Sequence, residues 1–188
     1  MTTPKLLCFV GMPGAGKSSC VDYLKEKGFP SVYFGGITLK EVKNRGLDVT
    51  PENEKLVRED LRRLHGTDAY AKLIAEEIDH LAEAGQHDIV VDGLYSWSEY
   101  KFFKKKYGHN AIIIAIVAPR ELRHKRLEKR AVRPLTPEEA SARDYAEIEN
   151  LEKGGPIGNA DYTILNDRDL PYVIERLDEL LQKNNSRK

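Results

Sequence analysis

The sequence predicts an α/β fold, a parallel sheet with helices on both faces, and three observations carry that prediction. Short apolar runs alternate with helical patterns along the whole chain. One run, Ala111–Val117, is aliphatic almost throughout, as a strand buried on both faces must be. The stretch Gly11-Met12-Pro13-Gly14-Ala15-Gly16-Lys17-Ser18 fills every fixed position of the phosphate-binding pattern G-x-x-x-x-G-K-[ST], and it sits between an apolar run and a helical one.

The elements follow in order. Lys5–Val10 reads as the first, buried strand. The helix after the glycine loop runs to about Lys27 and stops at Gly28. Pro30 and Ser31 turn the chain into a short strand over 32–34, which Gly35 and Gly36 end. Residues 38–45 are helical up to Gly46. Thr50-Pro51-Glu52 starts the next helix, with a capping hydroxyl, a proline at the first position and acids in the first turn. Leu56, Val57, Leu61 and Leu64 give it an apolar face, and His65-Gly66 breaks it. A further helix spans 68–84, with Leu73, Ile74, Ile78 and Leu81 at helical spacing. Residues 87–93 form a strand ending in Asp92-Gly93. A basic helix covers 98–107, and Pro119 opens one reaching about Arg130. The segment 131–137 is punctuated by proline. A helix over 138–151, a loop over 153–158, a strand over 161–166 and a helix over 171–182 complete the chain, with 184–188 expected to fray.

The chain has 188 residues, enough for one domain with a real core, and Lys plus Arg balance Asp plus Glu at 30 each. A balanced charge removes the global electrostatic case for nucleic acid or an anionic membrane as partner. No apolar run reaches the roughly 20 residues a membrane span needs. The first residues lack a signal-peptide pattern, and Cys8 and Cys20 read as buried free thiols. A cytoplasmic protein, acting as a monomer on small molecules, is the expectation.

The motif's residue types explain its chemistry. Gly11, Gly14 and Gly16 let the backbone curl so that amides from Pro13 through Ser19, proline excepted, surround phosphate oxygens. The helix that follows adds its positive end. Lys17 supplies an ammonium for β- and γ-phosphates, and the Ser18 hydroxyl suits Mg²⁺. Asp92, at a strand end near the same sheet edge, is a second candidate for that metal. Seven basic residues crowd between Arg120 and Arg133, and Arg123, Arg126 and Arg130 share one helical face. Phosphoryl transfer needs positive charge and excluded water around the moving group, so Arg130 and Arg133, with Arg143 beyond them, are candidates for a covering segment. Arg123, Lys125 and Lys129 read individually as surface charges.

These residues resemble a family. Gly-x-Pro-Gly-x-Gly-Lys at Gly11–Lys17, Val91-Asp92-Gly93, and Arg126-Leu127-x-x-Arg130 are similar to the motifs of the P-loop nucleoside monophosphate kinases, among which adenylate kinase and dephospho-CoA kinase stand nearest. Arg133-Pro134, Arg143-Asp144 and the run Glu149 to Gly155 resemble more closely a group of adenylate-kinase-related proteins of unsettled substrate, well represented in archaea. The resemblance spans nearly the full length. It implies the P-loop three-layer fold with sheet order 2-3-1-4-5, a core of 1–35, 85–130 and 144–188, an acceptor-binding helical lobe over about 36–84 and a lid over about 131–143. It implies ATP and Mg²⁺ as cofactors. Arg126 would lie against the adenine, and Asn166 would edge it. Gly35, Gly36, Asp92 and Gly93 would border the acceptor.

Two departures bear on the acceptor. The Thr-Gly-Asp and Arg expected after the second strand are replaced by Phe34-Gly35-Gly36, with Lys40 the nearest basic residue. Leu94-Tyr95-Ser96-Trp97 stands where Phe-Pro-Arg is usual. Arg58, Arg62 and Arg63 are candidates to replace the missing arginines, and Tyr95 and Trp97 either stack on an acceptor base or pack in the core or lobe. The resulting reading is an ATP- and Mg²⁺-dependent kinase acting on a nucleoside monophosphate. Transfer to a hydroxyl, as in dephospho-CoA kinase, and a regulatory ATPase without small acceptor stand as alternatives.

Overall fold

The computed structural model describes residues 3–185. Five strands, β1 (Lys5–Val10), β2 (Ser31–Tyr33), β3 (Asp88–Asp92), β4 (Ala111–Val117) and β5 (Tyr162–Leu165), form one parallel sheet. Its order is β2-β3-β1-β4-β5, as the resemblance implies.

Alternation along β1 separates two cores. Leu6, Cys8 and Val10 face one side of the sheet and Leu7 and Phe9 the other, because successive side chains on a strand point opposite ways. On the second side, α1 (Lys17–Glu26) and α9 (Leu170–Asn185) supply Val21, Leu24, Val173 and Leu177. On the first, α2 (Phe34–Asn44), α3 (Pro51–His65), α4 (Ala69–Glu83) and α5 (Trp97–Tyr107) supply Phe34, Val57, Ile74 and Phe103. The remaining helices are α6 (Arg120–Glu128), α7 (Pro137–Glu149) and the short α8 (Gly154–Gly158). Cys8 and Cys20 are free and buried, and burial raises both thiols, Cys20 to about 12.

The start of α3 is as predicted: Pro51 leads and the Thr50 hydroxyl accepts the Asn53 amide at 3.2 Å. Four other expectations change. Gly35 and Gly36 do not end β2 but lie in the first turn of α2. Burying Phe34 and Ile37 is worth about 3–6 kcal/mol together, more than the ~2 kcal/mol two helical glycines cost. Gly35 also leaves room for the Tyr33 side chain, whose ring end lies 2.3 Å from where a Cβ would be. α5 starts at Trp97, capped by a reciprocal Ser96–Glu99 box. The expected loop over 153–158 contains α8. α9 continues through Asn185, and residues 186–188 lie outside the described residues.

The segment 131–143 is two pieces: a connecting loop up to Thr136, then α7, whose Thr136–Glu139 capping box makes a firm start. Register aligns the carboxyl ends of the central strands. Phe9 pairs with Asp92 and Val10 with Ala115, so the glycine loop leaves the sheet beside both β3 and β4.

Candidate active site

The glycine loop is a bent backbone that only glycine accommodates at three points. Gly11, Gly14 and Gly16 have φ of 147°, 76° and 98°. A Cβ on Gly14 would meet the Arg123 carbonyl oxygen at 2.5 Å, so α6 packs directly on the loop. Lys17 folds across it, donating to the carbonyls of Gly11 at 2.6 Å and Met12 at 3.2 Å. Burial pulls its ammonium down to about 7; Lys153 and Arg143 push the same way, while Glu147 and Asp92 oppose.

Asp92 comes to this point from the end of β3. Burial raises its carboxyl above the ordinary value, against the attraction of Lys17. Ser18 and Ser19 are exposed at the start of α1. The Ser18 hydroxyl and the Asp92 carboxylate are hard oxygen donors, which suits Mg²⁺, an ion that keeps several waters and takes few protein ligands.

Two anchors hold the loop. Asn166 donates from Nδ2 to the Ala15 carbonyl at 2.8 Å, and Arg126 donates to the Asn166 side-chain oxygen at 3.0 Å and to its backbone carbonyl at 3.2 Å. Arg126 and Asn166 therefore meet beside the loop, each occupied by the other. The second anchor corrects the expectation that Arg123 is a surface charge. Arg123 is buried, donates to the Pro13 carbonyl at 3.0 Å, and forms a two-pronged pair with Asp144 at 2.8 Å per bond. His124 adds a 3.0 Å contact to the same carboxylate.

A cleft of about 590 Å³ opens between α2, α3, β3's exit and α7. Tyr33, Tyr70 and Tyr95 give it aromatic surface, and Arg58, Arg62, Arg133 and Arg143 give it positive charge. Gly35 lines it, whereas Gly36 does not. Arg62 lies over the Tyr70 ring at 5.1 Å and 4.0 Å from Glu99. Arg133, with a left-handed φ of 53°, reaches across to Glu54 on α3 at 2.9 Å. Arg143 touches Glu147 through Nε at 3.3 Å. A larger hollow of about 780 Å³ lies over Thr67, Ser98 and Lys101, but it shares no residue with the loop or the cleft.

Asp92 and Gly93, expected to border the acceptor, do not line the cleft, and two further expected site residues lie elsewhere. Trp97 stacks on Tyr100 with ring centres 4.8 Å apart and packs against Gly155, so it braces α5 and α8 and does not line the cleft. Its neighbour Tyr95 does line it. Gly93, with φ of 95°, lets the Tyr95 ring fold back within 2.7 Å of where a Cβ would be. Arg130 is exposed past the end of α6 and is not a cleft residue.

Lys153 was not expected. It is only 1 % exposed, bonds the Glu147 carboxylate, and holds its ammonium 4.7 Å from the Tyr95 ring centre. A lysine before two glycines gives no periodic signal; in the fold it follows Glu152, whose φ of 51° is left-handed.

A loop of this form at the carboxyl edge of a sheet in this order defines a P-loop nucleotide-binding domain. An AAA-domain family model matches residues 7–150. A UPF0200 protein of Thermococcus onnurineus (strain NA1) is 34 % identical over 181 residues, covering 95 % of this chain and 97 % of the relative. One from Thermococcus kodakarensis is 37 % identical over 164 residues, covering 86 % and 88 %. The chain belongs to the UPF0200 family of AAA-domain proteins. Among solved structures, TT1252 from Thermus thermophilus matches with a TM-score of 0.65 at 19 % identity over 97 % of this chain and 98 % of that one. Shikimate kinase from Acinetobacter baumannii matches at 0.57 and 17 %, over 100 % and 96 %. At such identities the likeness is one of fold, a P-loop kinase-like fold.

Proposed function

We propose that this chain is a kinase transferring the γ-phosphoryl group of ATP to a small acceptor, with a nucleoside monophosphate as the favoured acceptor. One observation carries the reading: the cleft is lined by three tyrosines and four arginines. Aromatic faces suit a base, and arginine forks suit phosphate.

In this reading the glycine loop and Lys17 hold the donor's phosphates. Mg²⁺, held through Ser18 and Asp92, supplies neutralising charge on the phosphate oxygens. Helices α2–α4 form the acceptor lobe, and the 131–143 segment covers the site, with Arg133 linking cover and lobe through Glu54. Arg130 joins on closure.

The carboxylates favour a phosphate acceptor over a hydroxyl one. A hydroxyl must give up a proton, which calls for a free base. The cleft carboxylates are committed: Glu54 to Arg133 and Arg58, Glu147 to Arg143 and Lys153. Residues 34–40, directly after β2, supply no acid. A phosphate monoester arrives already ionised. We place the reaction in the cytoplasm and in a monomer.

The test is a coupled assay of ADP formation with Mg·ATP against AMP, CMP, UMP, GMP, their deoxy forms and dephospho-CoA. A monophosphate should raise turnover well above the ATP-only rate. Acceleration by dephospho-CoA alone would establish hydroxyl transfer instead. No acceleration by any of them would leave a regulatory ATPase and end the kinase reading.

A further inference from the structure

Glu147 is one carboxylate held by two cations. Its Oε2 takes the Lys153 ammonium and its Oε1 takes Arg143 Nε at 3.3 Å. Lys153 lies behind the cleft wall, fully buried beneath Tyr95. Arg143 and Glu147 are on the wall itself. Among the described residues Arg143 has no partner on its two Nη groups, so its outer edge is free for the cleft.

Burying an ammonium is costly unless a charge meets it, and the chain goes to some length to do so. Glu152 adopts a left-handed φ of 51° immediately before Lys153, a strain of roughly 1–3 kcal/mol for a non-glycine residue. Gly155, two residues on, passes so close to Trp97 that a Cβ would lie 2.7 Å from its ring. Both features flank the buried Lys153. The ammonium satisfies half of Glu147. Without it, that carboxylate would present a whole negative charge to an anion-binding cleft and would draw Arg143 into a two-pronged pair.

We infer that Lys153 is a positioning residue of the acceptor half of the site: by neutralising Glu147 it keeps the Arg143 guanidinium edge available to the phosphate of the acceptor. The inference rests on the kinase reading above. Lys153 need not touch either substrate. Its influence on Lys17, which it pushes toward the neutral form, is consistent with a common patch of positive potential joining donor and acceptor sites.

The test is calorimetric titration of wild type, Lys153→Met, Lys153→Arg and Lys153→Met/Glu147→Gln with AMP, and separately with Mg·ATP, alongside thermal melts. Lys153→Met should weaken AMP about tenfold or more while Mg·ATP affinity stays within about threefold. Lys153→Arg should hold AMP near wild type. The double variant, which removes both charges, should recover AMP affinity to within about threefold of wild type, and a purely structural lysine would show no such rescue. Parallel loss of both ligands in Lys153→Met, with no recovery in the double variant, would overturn the inference. So would unchanged AMP binding in every variant. A wild-type protein that binds Mg·ATP but no AMP would count against the AMP-acceptor reading itself, and the inference would fall with it.

Discussion

The Arg123–Asp144 pair gives the sharpest quantitative prediction. Both side chains are 8 % exposed, two bonds of 2.8 Å join them, and Arg123 also donates to Pro13 in the glycine loop. Asp144→Ala would leave the guanidinium buried with a carbonyl as its only protein partner. Removing one member of a buried pair costs about 3–5 kcal/mol. For a domain of this size, 1 kcal/mol moves the melting temperature by about 2–4 °C, so a drop on the order of 10 °C is expected. Urea unfolding and thermal melts at pH 7 measure it. The double variant Arg123→Met/Asp144→Leu should lose far less stability, because an apolar pair carries no orphaned charge. It should still bind ATP more weakly, since the tie to Pro13 is gone. Burial raises the Asp144 carboxyl, but the bonds from Arg123 and His124 outweigh it and hold the group below its ordinary value. A carboxyl depressed in the folded state contributes stability above the unfolded value of about 3.9 and loses it as pH falls through the folded one. The cost of Asp144→Ala should therefore shrink in acid below about pH 4. A loss under about 1 kcal/mol at pH 7 would refute the reasoning, showing the pair to be screened by water like a surface bridge.

Two further predictions concern the donor site and its cover. Lys17 drops from 10.5 to about 7 on folding, so between those values the unfolded chain binds more protons and stability rises with pH. Lys17→Met should abolish ATP-dependent turnover, raise stability of the unliganded protein at pH 6 by about 1–3 kcal/mol, and flatten the rise between pH 7 and 10. Urea melts at pH 6 and pH 9 decide it, and an unchanged pH slope would mean that Lys17 is not desolvated. Arg133→Ala should lower the acceptor-dependent rate at least tenfold with ATP affinity within about threefold. An equal loss in both would make Arg133 a donor-binding residue instead.

How much of this was legible depends on the range of the forces involved. The glycine loop could be read because its pattern is local: glycines with positive φ, a lysine and a hydroxyl at fixed offsets. Asp92 could be read because an apolar run ends on it. Arg58, Arg62 and Arg143 line the cleft, and basic residues on helix faces are visible in the sequence. Between stacking and packing, the sequence leaves Trp97 open, because an aromatic ring beside a strand end has two ways to turn; its packing against Gly155, distant in sequence, is visible only in the fold. Gly35 and Gly36 misled for a related reason. Their propensity to break structure lost to the burial of Phe34 and Ile37, which depends on α4 and α5 packing over them.

The sequence by itself determined the sheet, its buried central strands and the phosphate loop, because these rest on hydrophobic period and backbone conformation within a few residues. Only the tertiary structure decided which charges do which work. Arg123 became a buried tie between loop and α7, Arg126 a clamp on Asn166, and Lys153 a hidden counter-charge to Glu147. A charged side chain takes its role from its partner and its distance from water, and both are supplied by segments remote in the chain.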